Sequence, residues 1–215
     1  MYQTILFDLD GTLTDSGRGI INAAAHGLEA MGHPIPDRQT LYKFIGPPLH
    51  ESLKKFCRLD EAQAEEVTKC FRSYYEQQGI FENELYPGVI PMLSELKAQG
   101  KRLVLATSKP EKFARVVMHH FGLDSYIPEI AGASMGKERS YKDQVIAYAL
   151  REFGIDPADT VMVGDRKHDI LGAKENGLPG IGVTYGYGDR GELEDAGAAA
   201  VVDTTEELTK LLLRG

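Results

Sequence analysis

Cysteine is scarce in this 215-residue chain: Cys57 and Cys70 are the two present, and both fall in a stretch with helical patterning. They lack the paired spacing of a zinc site or a disulfide framework, so they read as small residues on helix faces. Long apolar runs are missing as well, with none near the roughly 20 residues that span a bilayer. No basic stretch with a cleavable apolar segment opens the chain. The expectation is a cytoplasmic protein with no membrane partner. Basic residues are the minority charge, 24 Lys and Arg against 32 Asp and Glu, for a formal net charge of -8. That balance argues against a nucleic acid polymer as partner, although an acidic protein can still hold a small anion in a local cationic pocket. There are no internal repeats, low-complexity tracts or linkers. What remains, 42% hydrophobic and 26% charged residues, is the composition of a globular protein able to bury a sizeable core.

The chain is organised around Ile5-Leu6-Phe7-Asp8-Leu9-Asp10-Gly11-Thr12-Leu13. Thr4 to Asp8 is almost continuously apolar, which suits a strand buried on both faces of a parallel sheet. Two carboxylates, Asp8 and Asp10, then stand at its carboxyl end, and Gly11 permits a sharp turn. Thr14 to Arg18 reads as a connector and helix start, with Asp15 or Ser16 as N-cap.

From Gly19 to about Gly79 the pattern is helical: Ile20, Ala24, Leu28 and Met31 recur at near-helical spacing, and Ala62 to Tyr75 forms a second amphipathic stretch. Breakers divide it at His33-Pro34-Ile35-Pro36-Asp37 and at Phe44-Ile45-Gly46-Pro47-Pro48-Leu49. Beyond Pro87-Gly88 the texture alternates. Helices are expected at Val89 to Gln99, Pro110 to Phe121, Lys142 to Phe153, Ile170 to Asn176 and from Glu206. Strands are expected at Arg102 to Ala106, Ile127 to Ile130, Thr160 to Val163, Gly180 to Thr184 and Ala199 to Val202. Alternation of this kind implies an α/β fold, a parallel sheet with helices on its faces. An excursion of about sixty residues after the first strand far exceeds an ordinary crossover. The expected organisation is therefore a catalytic core of residues 1–15 and 82–215 with an inserted all-helical cap, 16–81. Ligands of open parallel sheets bind beyond the carboxyl ends of the strands, where such an insertion would act as a lid.

Those strand ends carry Asp8 and Asp10, then Thr107-Ser108-Lys109, then Asp165 followed by Asp169, with Lys142 opening a helix between the last two. Carboxylates gathered at one edge repel unless a cation joins them, and an all-oxygen set favours Mg²⁺ over zinc. A carboxylate beside Mg²⁺ can attack phosphorus, splitting ester hydrolysis into formation and breakdown of an aspartyl phosphate; Asp8 suits that role. Asp10, re-aimed by the turn, can give a proton to the leaving alkoxide and take one from water. Thr107, backbone N–H groups and a lysine, Lys142 first, are candidate donors to the transferring phosphoryl group.

On Asp8-Leu9-Asp10-Gly11-Thr12, Thr107-Ser108-Lys109-Pro110, Lys142 and Gly164-Asp165-Arg166-Lys167-His168-Asp169, the chain resembles the haloacid dehalogenase superfamily of phosphohydrolases, in the branch similar to phosphoglycolate phosphatases. The resemblance implies a Rossmann-like three-layer core with a helical cap and Mg²⁺-dependent hydrolysis of a small-molecule phosphate ester. By motif, Asp8 is nucleophile and metal ligand, Asp10 is acid/base and lends its backbone carbonyl to the metal, and Thr107 holds phosphate. Lys142 screens charge, Asp165 binds Mg²⁺ directly, and Asp169 binds it directly or through water. Many relatives place proline after the third-motif lysine, whereas here Lys142 is followed by Asp143, which makes Lys137 the fallback. Asp10, Asp165 and Asp169 together point away from dehalogenation, which needs neither the acid nor the metal.

Further residues carry weaker signals. Lys109 is the first candidate to meet a substrate anion, with Arg18 and Lys43 behind it. Gly46 sits in a break that can descend toward the site in capped relatives. Gly186-Tyr187-Gly188-Asp189-Arg190-Gly191 matches a dinucleotide-binding pattern, but the helix behind it is a turn or two at most, so it reads as a loop bordering the site. His119, His120 and His168 are expected at the surface. A 5′-nucleotidase or a sugar phosphomutase would use the same aspartyl phosphate, and a non-catalytic phosphate-binding module is the alternative outside the enzymes.

Overall fold

The computed structural model describes residues 2–135 and 138–214, so that Lys137 lies outside the described residues. The elements run β1 (Thr4–Phe7), β2 (Thr14–Asp15), α1 (Gly17–Ala30), α2 (Arg38–Tyr42), α3 (Leu49–Cys57), α4 (Glu61–Gln77) and β3 (Glu84–Leu85). They continue with α5 (Val89–Ala98), β4 (Arg102–Pro110), α6 (Glu111–His120), β5 (Glu129–Ala133), α7 (Lys142–Glu152) and β6 (Thr160–Gly164). The chain ends with α8 (Lys167–Glu175), β7 (Gly180–Val183), α9 (Arg190–Asp195), β8 (Ala200–Val202) and α10 (Thr205–Arg214). Two compact units result, one of Met1–Thr14 and Leu85–Gly215, the other of Asp15–Glu84. Among the described residues no helix is long and apolar enough to cross a membrane.

The first unit is an α/β fold around a six-stranded sheet of order β5-β4-β1-β6-β7-β8, with every pair parallel. β1 lies at its centre and all four of its residues are buried, as its unbroken apolar character requires. The chain fills one side of β1 with β4 and β5, then returns to the other side with β6, which makes the carboxyl end of β1 a topological switch point. Phe7 is level with Leu105 of β4 and Val163 of β6, so residues that follow these three strands emerge together. Leu6, Val104 and Met162 point to one face and pack with Val145, Ile146 and Ala149 of α7 and Ala173 of α8; Ile5 and Phe7, alternating with Leu6, are buried toward the opposite face.

The second unit has its own core, in which Leu28 of α1 packs with Leu41, Phe44, Leu53, Leu59 and Val67. α4 opens on a capping box: Asp60 accepts from the Gln63 N–H at 2.9 Å, and the Gln63 side chain accepts from the Asp60 N–H at 3.0 Å. At the start of α1 the cap residue is Ser16, but its side chain makes no capping bond. Asp15 Oδ1 instead accepts from the Gly17 N–H at 3.2 Å.

Several boundaries depart from the sequence pattern. β5 begins at Glu129, not Ile127, because the Ile127 N–H is bonded at 2.9 Å to the Leu123 carbonyl four residues back and Pro128 has no N–H to give. Its later residues, Ala131, Gly132 and Ala133, carry little strand propensity; pairing with β4 imposes the conformation. Gly132 is required there by space, since a Cβ would lie 2.5 Å from the Glu111 Cα. β4 runs on to Pro110 across a register shift after Thr107, and α8 starts at Lys167, three residues before the first apolar position of its pattern.

Candidate active site

Asp8 directly follows β1 and is 5% exposed. Its N–H donates to the Val163 carbonyl of β6 at 2.9 Å, the last rung before the strands part. The chain then turns around the Leu9 carbonyl, which accepts from the N–H groups of Leu13 at 2.9 Å and Thr14 at 3.0 Å. Gly11 makes the turn possible at φ +86. Across β1, Asp165 follows β6 and is fully buried, and Asp169, 1% exposed, projects from the first turn of α8.

Each of Asp8, Asp165 and Asp169 offers an oxygen within 4.8 Å of the others. Lys142, at the start of α7 and 5% exposed, places Nζ 2.7 Å from Asp8 Oδ1 and 2.8 Å from Asp169 Oδ1. The same ammonium donates to the Ala106 carbonyl at 2.9 Å, which anchors it to β4. Asp165 Oδ2 accepts from the Tyr187 N–H at 2.8 Å, and Asp165 Oδ1 lies 3.4 Å from the Thr12 hydroxyl.

Of the three buried carboxylates, Asp8 and Asp169 thus share one ammonium, and Asp165 is held by the Tyr187 N–H. Burial raises the Asp8 pKa to about 6, with Lys142 pulling it down and Asp169 pushing it up. Burial, and then the charges of Asp169 and Asp8, raise Asp165 well above the carboxylate range. For Lys142, burial works against the charge, but Asp169 and Asp8 outweigh it and hold its pKa above the ordinary value. The surplus of negative charge in a dry, all-oxygen cluster fits a hard divalent cation, with Asp8, Asp165 and Asp169 as the side chains to hold it.

Asp10 is turned away from that cluster. Its two oxygens accept from Lys109 Nζ at 2.9 and 2.8 Å, with the side chains only 12% and 5% exposed respectively. Lys109, a candidate for substrate anion in the sequence, therefore stands against the residue read as acid/base. Thr107 is 1% exposed and stands in β4 just before its register shift, its hydroxyl accepting from the Lys109 N–H at 3.2 Å, and Ser108 between them is half-buried. Arg18, exposed on α1, and Gly46, at φ +104 between α2 and α3, belong to the Asp15–Glu84 unit. His119 and His120 are exposed, whereas His168 is half-buried and burial lowers its pKa, a departure from its expected surface placement.

The glycine-rich loop closes on Asp165. A Cβ on Gly186 would sit 2.2 Å from the Gly11 carbonyl oxygen and 2.4 Å from the Asp165 Cβ, and one on Gly188 would sit 2.0 Å from the Asp165 carbonyl oxygen. These glycines serve close backbone approach, the physical role they also have in dinucleotide sites, which explains the shared pattern. The Tyr187 N–H and the Ala106 carbonyl were not singled out by sequence, since a backbone group leaves no mark in residue type, and Thr12 was quoted within the first motif without a role of its own.

Residues 5–183 match the family model of haloacid dehalogenase-like hydrolases. The chain belongs to that family. Among curated relatives, it is 41% identical over 98% of its length to the tyrosine-protein kinase PtkA of Mycobacterium tuberculosis, covering 72% of that protein. It is 40% identical over 89% of its length to a 5′-nucleotidase of Pseudomonas aeruginosa, covering 87% of it. A phosphoglycolate phosphatase of Vibrio vulnificus is 31% identical over 98% of this chain and 96% of its own. Among solved structures, a predicted phosphatase from Clostridium acetobutylicum superposes over 100% of both chains with a TM-score of 0.96 and 42% identity. The protein is a hydrolase of this family, of phosphatase type.

Proposed function

We propose that the protein hydrolyses phosphate monoesters of small metabolites with Mg²⁺ as cofactor and Asp8 as the residue that is transiently phosphorylated. The observation that carries this reading is the buried Asp8, Asp165 and Asp169 cluster with Lys142 paired to Asp8 and Asp169. When bound, Mg²⁺ supplies charge neutralisation and Lewis-acid polarisation of the phosphoryl oxygens. An Asp8 oxygen attacks phosphorus, forming an O–P bond as the ester P–O bond breaks, and Asp10 gives its proton to the departing alkoxide. Water then attacks the phosphorus of the aspartyl phosphate, Asp10 takes the proton, and inorganic phosphate leaves with Asp8 restored. Lys109, bonded to both Asp10 oxygens, holds the Asp10 carboxyl group in one orientation for both proton transfers. Lys142 offsets the charge on Asp8 and on the phosphoryl group, and the Thr107 hydroxyl with neighbouring N–H groups orients it.

Hydrolysis of p-nitrophenyl phosphate should require Mg²⁺ and fall by several orders of magnitude, on the order of 10³-fold or more, in Asp8→Asn; wild-type rates in that variant would exclude Asp8 as nucleophile. The names of the relatives place phosphoglycolate and nucleoside 5′-monophosphates first in a substrate panel. Phosphorus NMR on the same panel separates release of phosphate from transfer between positions. In this reading the Asp15–Glu84 unit selects the substrate, and Arg18→Met should reorder KM across the panel; an unchanged order removes Arg18 from substrate recognition.

A further inference from the structure

The segment after β7 does more than border Asp165, because a side chain five residues beyond Tyr187 also grips the turn that carries Asp169. Glu192, on α9, accepts through Oε1 from Arg166 Nε at 2.9 Å and from the Lys167 N–H at 2.9 Å, and through Oε2 from Arg166 Nη2 at 3.4 Å. The Arg166 N–H in turn donates to Asp169 Oδ2 at 3.0 Å. Two N-terminal N–H groups at the start of α8 thus end on two carboxylates, Asp169 and Glu192, and Arg166 ties one to the other. Neither partner of the ion pair is a free surface charge: the Arg166 side chain is 13% exposed and that of Glu192 22%.

This arrangement bears on the cluster for a geometric reason. Asp169 meets Lys142 through Oδ1 while Oδ2 is bonded to the Arg166 N–H, so the rotation of its carboxylate follows the position of the Arg166 backbone. Asp165 stands one residue before Arg166 and has its own Oδ2 held by Tyr187 from the same segment. A shift of Arg166 and Lys167 would therefore move both acids of the β6–α8 turn, one through the chain and one through a hydrogen bond.

We propose that Glu192 is a positioning residue for the divalent-cation site, holding Arg166 and Lys167 so that Asp165 and Asp169 face Asp8 at ligand spacing. The proposal rests on the reading that these three acids hold the cation. Partners one step removed from metal ligands set ligand orientation, and their loss typically weakens metal binding about 10–100-fold.

The test is calorimetric titration of Mg²⁺ into the full chain, with Mn²⁺ as a second probe. Glu192→Ala should raise the dissociation constant about tenfold or more. Glu192→Gln should raise it less, because the amide oxygen still accepts from the Lys167 N–H while the Arg166 ion pair is lost. Arg166→Met combined with Glu192→Gln should bind no more weakly than the worse single variant, as expected of two residues acting as one unit. Glu194→Gln, on an exposed side chain of the same helix, should leave the constant unchanged. A folded Glu192→Ala that melts earlier yet binds Mg²⁺ as the wild type does would show a helix cap and nothing more, and would overturn the proposal. If the alanine variant does not fold, an unchanged constant in Glu192→Gln overturns it. Failure of the wild type itself to bind either cation overturns the metal reading, and this proposal with it.

Discussion

Asp8 and Asp10 are one residue apart and meet different surroundings. Asp8 faces two other carboxylates and one ammonium in a dry cluster, so burial holds its pKa at about 6. Asp10, past the turn, meets the Lys109 ammonium at 2.8 and 2.9 Å. In the proposed scheme these different partners go with different roles, nucleophile for Asp8 and acid/base for Asp10. Lys109 acts through Asp10 in this scheme, and its loss should follow the need for a proton at the leaving group. In Lys109→Met the rate on an alkyl phosphate should fall about 10–100-fold, and the rate on p-nitrophenyl phosphate, whose leaving group needs less help, should fall less. Equal losses on both esters would show that Lys109 works on binding and not through Asp10.

At the scale of elements, the turn after each central strand is shaped by close approach. Gly11, Gly186 and Gly188 each leave room that the Asp165 side chain or backbone occupies, so the loop after β7 and the turn after β1 are pressed onto the same carboxylate. Gly186→Ala would put a methyl group 2.2 Å from the Gly11 carbonyl oxygen, and backbone has to move. Overpacking of this kind should cost about 1–3 kcal/mol in urea denaturation, together with weaker Mg²⁺ binding in titration. A variant with wild-type stability and affinity would show that the loop yields freely. The element pattern itself was largely legible: β1, β6 and α7 announce themselves by continuous apolar runs or helical spacing. β5 was misplaced by two residues, because its Ala131-Gly132-Ala133 run takes its strand conformation from β4 and not from its own residues. The first turn of α8 was missed for a related reason. Arg166, Lys167 and His168 carry no apolar period, and the turn is stabilised by carboxylates from Asp169 and, 25 residues away, Glu192.

For the whole molecule, the clustered acids link stability, pH and metal. An acid with a raised pKa binds its proton more tightly in the folded state than in the unfolded one. Its contribution therefore favours folding at low pH and is lost as pH rises from the unfolded value of 3.8 through the folded value of about 6 for Asp8. Asp165, raised in the same direction, adds to this. A cation bound by these carboxylates replaces the protons, so binding strengthens as they come off. The melting temperature should accordingly rise more on adding Mg²⁺ at about pH 7.5 than at about pH 5. A shift of equal size at both values would mean that the cluster does not exchange protons for the cation.

The sequence by itself determined the α/β class, the order in which strands and helices follow one another, and the placement of Asp8 and Asp165 directly after β1 and β6. Those features follow from local periodicity and from residue types that stop a buried strand, and both are written in neighbouring residues. Only the tertiary structure decided which charges meet: Lys142 with Asp8 and Asp169, Lys109 with Asp10, and Glu192 with Arg166. Their separations along the chain are large, and their pairing depends on a parallel register that sets Phe7 level with Leu105 and Val163. Charge interactions depend on distance and burial, quantities that exist only once the sheet has brought its strand ends to a common edge.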